Sequence, residues 1–234
     1  MHRPKRLAIV RHAKSLRNEL KRGHTYFIDD EDRARVRGIP DHKIPITSEG
    51  HLQALATGIA LRERFGTFDY AYHSGYLRTV ETLDDILFAW PEEERERIQV
   101  RTNPFIRERD TGYTYDMTVD EAHAAFPWLE EYWQTVGGYL AQPPGGESLI
   151  QVSERVYTFL NMLFRDRAGE SILVVTHGGT LRSFRANLER WTYEQATKWP
   201  PGQSPRNCSL TLYEFDPTAG RLALVEHNTI FYEQ

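Results

Sequence analysis

The sequence holds a single cysteine, Cys208, so no disulfide can form within the chain, and a reducing, cytoplasmic setting is expected rather than an export route. Long hydrophobic runs are missing too. The basic opening MHRPKRLAIVRHAKS carries only four consecutive apolar residues, Leu7 to Val10, too few for a signal-peptide core or a membrane span. Positive charge is not in excess. Against 29 Lys and Arg stand 33 Asp and Glu, a formal net charge of -4, so nothing global recruits nucleic acid or an anionic membrane. The G-x-S-x-G elbow, the G-x-x-x-x-G-K-[ST] loop and the G-x-G-x-x-G fingerprint do not occur, and the nine histidines form no H-E-x-x-H. These absences argue against common serine-hydrolase, nucleotide-binding and zinc-protease designs, and require any basic site to be local.

With 40% hydrophobic residues in 234, the chain can bury one ordinary core. No repeat, low-complexity tract or linker splits it, so one domain over 1–234 is expected. Short apolar runs read as strands at LAIV (7–10), DYAYHS (69–74), RIQVRT (97–102) and SILVVT (171–176); CSLTLYEF and RLALVEHN flank the turn at 216–220 as a closing hairpin. Helical signals lie between them. Leu52, Leu55, Ala56, Ile59 and Ala60 recur at helical spacing after Thr47/Ser48 and before Gly66. A second helix runs from Leu77 to about Trp90, where Pro91 ends it. Thr118 to Glu121 forms a capping box before an aromatic-rich helical region reaching Leu140. From Ser148, the stripe Leu149, Val152, Val156, Phe159, Leu160 and Leu163 marks another, and HGGTLRSFRANLERW opens the last.

Strands alternating with helices predict an α/β fold, a three-layer sandwich with a mainly parallel central sheet flanked by helices and an antiparallel hairpin at its edge. That edge is either free or the surface of a homodimer. Two stretches resist the scaffold, about 19–46, rich in charge, and about 109–147, rich in aromatics; insertions of this kind carry specificity. Arg33, Arg35, Arg37 and Lys43, with His24 and His42, read as a solvated loop balanced by the acidic DDED.

In open α/β sheets a ligand lies beyond the C-terminal ends of the strands. Three such ends carry unusual polar residues: Arg11-His12, Ser74 with Arg78, and His177-Gly178-Gly179. Each alone is ordinary. Together they match a dianionic phosphoryl group, since arginine forks offer bidentate donors, glycines and helix N-termini expose N–H groups, and an imidazole serves as nucleophile or charge stabiliser. Cys208, in an alternating apolar run, reads as core.

The sequence resembles the histidine phosphatase superfamily, the phosphoglycerate mutase-like group, through six motifs in order: VRHAKSLRN, HSGYLRTVET, IRERDTG, PPGGES, VVTHGG and NCSLTLYEF. Ala13 stands where the signature commonly has glycine. The resemblance implies a phosphoglycerate mutase-like fold and a two-step reaction. Neutral His12 attacks the phosphoryl group; Arg11, Asn18, Arg78, Gly178 and a protonated His177 hold its oxygens; Glu108 protonates the leaving oxygen and then activates water. No metal or other cofactor is implied, because fixed cations take its place, and the partner is a small phosphorylated substrate.

The resemblance covers phosphatases and isomerases. Bisphosphoglycerate-dependent mutases carry paired arginines in the region that corresponds to 110–154, where this chain has no Lys or Arg and eight acidic residues. Hydrolysis of a phosphomonoester is therefore the expected reaction, with mutase-type transfer as the alternative. A non-catalytic phospho-ligand-binding domain would be expected to have lost one of the two histidines. Tyr113 and Tyr115, near Glu108 in sequence, and Arg37 are the candidates for substrate specificity.

Overall fold

A computed structural model describes residues 3–21, 23–24 and 26–233. Six strands, β1 (Arg6–Arg11), β2 (Tyr70–His73), β3 (Gln99–Thr102), β4 (Ser171–Thr176), β5 (Leu210–Asp216) and β6 (Arg221–Thr229), form one sheet in the order β3-β2-β4-β1-β5-β6. The first four in that order run parallel. β5 and β6 close the sheet as the antiparallel hairpin at one edge.

Alternation along β1 sends Leu7 and Ile9 to one face and Ala8 and Val10 to the other, and both faces are covered. On one side lie the helices Ser48–Phe65 and Leu77–Leu87. On the other, Leu149–Asp166 brings the predicted stripe of Val152, Val156, Phe159, Leu160 and Leu163 down beside Leu181 and Phe184 of the Gly178–Glu189 helix. Each such buried aliphatic or aromatic side chain contributes about 1.5–3 kcal/mol. Cys208 is fully buried in the first layer, as expected of a core residue.

The helix Ser48–Phe65 forms where predicted but presents a different face. Its buried residues are Gly50, Gln53, Ala54, Thr57, Gly58 and Leu61, while Leu52 and Ile59 of the expected stripe are 69% and 47% exposed. Close approach explains the rotation. A Cβ on Gly58 would lie 2.3 Å from the Ile86 carbonyl oxygen, and one on Gly50 would lie 2.5 Å from that of Lys14, so the helix turns its small residues inward.

Both insertions also differ from expectation. Helices Leu16–Lys21 and Asp30–Ala34 and the turn Asp41–Lys43 enclose a small core of Leu20, Phe27, Val36 and Ile44. Arg33 is not solvated. It is buried, paired with Asp30 and with Glu121 of the second insertion, and donates to the Asp116 carbonyl. A bridge from Phe27 to Thr118 joins the two insertions as one cap. The aromatic region is two helices, Val119–Ala125 and Leu129–Val136, because Pro127 bars the residue before it from helical geometry. The Leu77 helix likewise ends at Leu87, short of Trp90, whose indole donates to the Gly66 carbonyl. No helix among the described residues is long and apolar enough to cross a membrane.

Gly58→Ala should cost roughly 1–3 kcal/mol through overpacking against Ile86, lowering Tm by about 2–12 °C in thermal unfolding. An unchanged Tm would contradict the close helix contact.

Candidate active site

β1, β2 and β4 end nearly level, since Arg11 pairs with Thr176 and His73 with Val175. The residues that follow, His12, Ser74 and His177, therefore emerge together. The His12 ring is 5.2 Å from that of His177, centroid to centroid. His12 Nδ1 lies 2.7 Å from the Ala13 carbonyl oxygen. A carbonyl only accepts, so Nδ1 carries the proton and Nε2 keeps its lone pair. Burial, reinforced by the Arg78 and Arg11 charges, holds the imidazole well below its ordinary pKa of 6.5. His12 is thus neutral, in the tautomer a nucleophile needs.

Its backbone is clamped from three sides. His12 N–H donates to the Thr176 carbonyl at 2.8 Å, Asn207 Nδ2 donates to the His12 carbonyl at 2.9 Å, and Ala13 N–H donates to Thr82 Oγ1 at 2.9 Å. Ala13 is fully buried. Asn207 also donates to Asn18 Oδ1 at 3.1 Å, and that oxygen accepts from Ser15 N and Oγ as well. With its oxygen so engaged, Asn18 keeps its amide N–H groups for a ligand.

Arg11 and Arg78 bring the charge. Arg11 donates to the Pro205 carbonyl at 2.6 Å, and its buried Nε has no partner. Arg78 is 4% exposed; its Nε donates to His177 Nδ1 at 3.3 Å, and its two outer nitrogens reach Asp41. Since arginine only donates, His177 Nδ1 is an acceptor and Nε2 carries the proton given to Ser74 Oγ, 2.9 Å away. The expectation of a protonated His177 concerns the phosphoryl-bound state; the ligand-free ring differs. Burial first, and the Arg78 charge next, push its pKa well below 6.5, so without a ligand it is neutral and positions Arg78. A phosphoryl dianion beside it acts in the opposite direction, favouring the imidazolium.

Glu108 faces the same space. Its Oε1 accepts from Arg109 N–H at 2.8 Å, and a Cβ on Gly179 would stand 2.8 Å from that oxygen. The segment bearing Glu108 is held by Arg155, which donates to the carbonyls of Phe105, Arg107 and Glu108 at 2.7, 2.8 and 3.1 Å and forms a two-pronged pair with Glu147 at 3.0 Å. The PPGGES motif thereby supplies the carboxylate that orients this arginine.

Arg11, His12, Asn18, Arg78 and Glu108 line one cavity of about 670 Å³, together with Arg17, Asp41, Tyr76, Arg109 and Tyr115. Several expected residues fall elsewhere. His177 lies behind the wall, fully buried. Gly179 rather than Gly178 abuts the cavity; a Cβ on Gly178 would meet only Arg11, at 3.6 Å. Tyr113 is 71% exposed and edges a separate hollow beside Arg33, and Arg37 is exposed outside the cavity. Tyr115 does line it, with the Arg17 guanidinium stacked 3.6 Å above its ring. Arg17, Asp41, Asn207 and Arg155 are not among the sequence candidates, because nothing in their spacing reveals contacts with residues up to 195 positions away.

A neutral histidine with a free Nε2 lone pair, two guanidinium groups, an open amide and a carboxylate around one cavity suit a phosphoryl group. The family model of the histidine phosphatase superfamily (branch 1) matches residues 7–228. The chain belongs to the histidine phosphatase superfamily. It is 33% identical over 191 residues to a 2,3-bisphosphoglycerate-dependent phosphoglycerate mutase of Rhizobium etli, covering 80% of this chain and 82% of that one. Among solved structures, YhfR of Bacillus stearothermophilus is similar with a TM-score of 0.74 at 20% identity, covering 97% of this chain and 98% of that one. The mycobacterial glucosyl-3-phosphoglycerate phosphatase has a TM-score of 0.71 at 19% identity, covering 98% and 100%. At such identities the structures speak for the fold, and the superfamily assignment makes phosphoryl transfer the common chemistry.

Both buried histidines bind protons less readily folded than unfolded. Below pH 6.5 the unfolded chain takes up protons that the folded pair refuses, so stability present above that pH is lost as pH falls toward the depressed folded values. Tm should drop between about pH 7 and about pH 5, with a shallower slope in His12→Gln; equal slopes would contradict the depressed pKa of His12.

Proposed function

We propose that this protein is a phosphomonoester hydrolase that works through a phosphohistidine on His12. The observation that carries this reading is the 2.7 Å hydrogen bond from His12 Nδ1 to the Ala13 carbonyl, which leaves Nε2 unprotonated inside a cavity lined by Arg11, Asn18 and Arg78. Nε2 attacks phosphorus as the ester P–O bond breaks, and the Glu108 carboxyl delivers a proton to the leaving oxygen. Water then attacks the phosphohistidine, Glu108 takes its proton, and the Nε2–P bond breaks to give inorganic phosphate and neutral His12. The guanidinium groups and Asn18 stabilise the equatorial oxygens throughout, and need no added cation to do so.

Hydrolysis is favoured over isomerisation by the outer wall of the cavity. Between 110 and 154 no Lys or Arg exists to hold a second phosphate. Arg109, at the head of that segment, has its Nε committed to the Glu147 carbonyl at 2.7 Å. The mutase reading draws on the similarity to the Rhizobium etli phosphoglycerate mutase. The substrate in our reading is a small phosphorylated molecule, and the single buried thiol suits a reducing compartment such as the cytoplasm.

His12→Ala should abolish both phosphoenzyme formation and turnover of an aryl phosphate assayed with chelator present; retained turnover would remove His12 as nucleophile. Glu108→Gln should lower kcat by about 10²–10⁴ on an alkyl phosphate and by less on the aryl ester, whose leaving group needs less protonation. Cofactor-stimulated isomerisation of phosphoglycerate well above hydrolysis would overturn the hydrolase reading.

A further inference from the structure

The phosphoryl pocket already holds an anion of its own. Asp41, on the short cap turn Asp41–Lys43, lays its carboxylate across the guanidinium of Arg78, with Oδ1 3.1 Å from Nη1 and Oδ2 3.2 Å from Nη2. Tight guanidinium–carboxylate pairs are shorter, about 2.7–2.9 Å. The same Oδ1 is 4.0 Å from Nη1 of Arg17, a buried nitrogen without a hydrogen-bond partner. Arg17 cannot easily close that gap, since its other outer nitrogen donates to the Tyr115 carbonyl and its plane is stacked on the Tyr115 ring. One carboxylate therefore stands between two guanidinium groups and fits neither closely. Across the pocket the buried Nε of Arg11 also lacks an acceptor.

Two roles are open to such a carboxylate. A fixed strut would hold Arg78 in place, and its loss would weaken phosphate binding. A removable counter-ion would compete with phosphate, and its loss would strengthen binding. Three features favour the second. The bonds to Arg78 are long, Asp41 and Arg78 both line the cavity, and Arg78 is already fixed through its Nε to His177. The Asp41 backbone carbonyl, moreover, accepts from Arg78 Nη1 at 2.7 Å, so the turn stays docked while the side chain, 25% exposed, swings.

We propose that Asp41 is the resident counter-ion of the phosphoryl site, displaced from Arg78 when a phosphoryl dianion enters and reseated when inorganic phosphate leaves. The displacement follows from the geometry of the pocket, whereas the release step rests on the hydrolase reading above. A pocket bearing Arg11, Arg17 and Arg78 alone would hold its product tightly. The returning carboxylate replaces the phosphate on Arg78, so product departs without leaving a bare buried cation.

Calorimetric titration with inorganic phosphate tests this on wild type, Asp41→Asn and Asp41→Ala. Kd should fall about tenfold in both variants, the factor expected if Asp41 occupies Arg78 in about nine-tenths of free molecules. In wild type, the side-chain carboxyl 13C resonance of Asp41 should move on saturation with phosphate, a readout that needs no variant to fold. Weaker or unchanged phosphate binding in the variants, or an unmoved Asp41 resonance in wild type, overturns the proposal. Tighter phosphate binding and a moved resonance in a protein that hydrolyses no phosphomonoester would support the counter-ion and remove the hydrolase reading; the reverse combination would remove the counter-ion alone.

Discussion

The Nδ1 proton of His12 is held by the carbonyl of the residue that follows it, and the sheet fixes where that carbonyl can be. β1 lies between parallel β4 and antiparallel β5, so its end cannot shift without loosening hydrogen bonds on both sides. Past the strand, Thr82 takes the Ala13 N–H and Asn207 supports the His12 carbonyl from the loop before β5. The tautomer of the ring is thus set by three separate parts of the chain. With the proton on Nε2 instead, that nitrogen would have no lone pair to offer a phosphoryl group, whatever charges surrounded it.

Around this ring the cost of burying charge is spread rather than cancelled. Arg155 is satisfied by three carbonyls and Glu147, and Arg78 by His177 and Asp41. Arg11 keeps one buried donor without an acceptor. Burial first, and the cationic field next, keep both histidines neutral. Such a pocket would gain balance from an entering dianion, as the proposed hydrolase requires.

Much of this arrangement is legible in the order of the amino acids. Short apolar runs at 7–10 and 171–176 suit strands covered on both faces, and the abrupt change to Arg11-His12 and His177-Gly178 places the site at their ends. The helix at 48–65 is legible in extent but not in orientation. Periodicity favours Leu52 and Ile59, whereas Gly50 and Gly58 win because backbone must approach backbone there, a demand that hydrophobicity does not encode. The solvated reading of Arg33 fails for a related reason. Its acidic neighbours balance it in sequence, but Glu121, 88 residues away, is what buries it. Asp41 and Asn207 have no local signal at all, since each acts by hydrogen bonds to residues far along the chain.

The cap explains why substrate recognition is harder to read than chemistry. Phe27 bridges to Thr118, and Arg33 pairs with Glu121, so the segment carrying Asp41 and the segment that follows Glu108 are tied together above the cavity. Arg17 belongs to the first and leans on Tyr115 of the second. Arg11 and His12 stand at the end of β1, where the sheet dictates position; Arg17, Asn18, Asp41 and Tyr115 come from two insertions that position each other. The Phe27–Thr118 bridge and the Arg33–Glu121 pair couple the two walls, so a substitution that breaks either contact bears on both insertions at once.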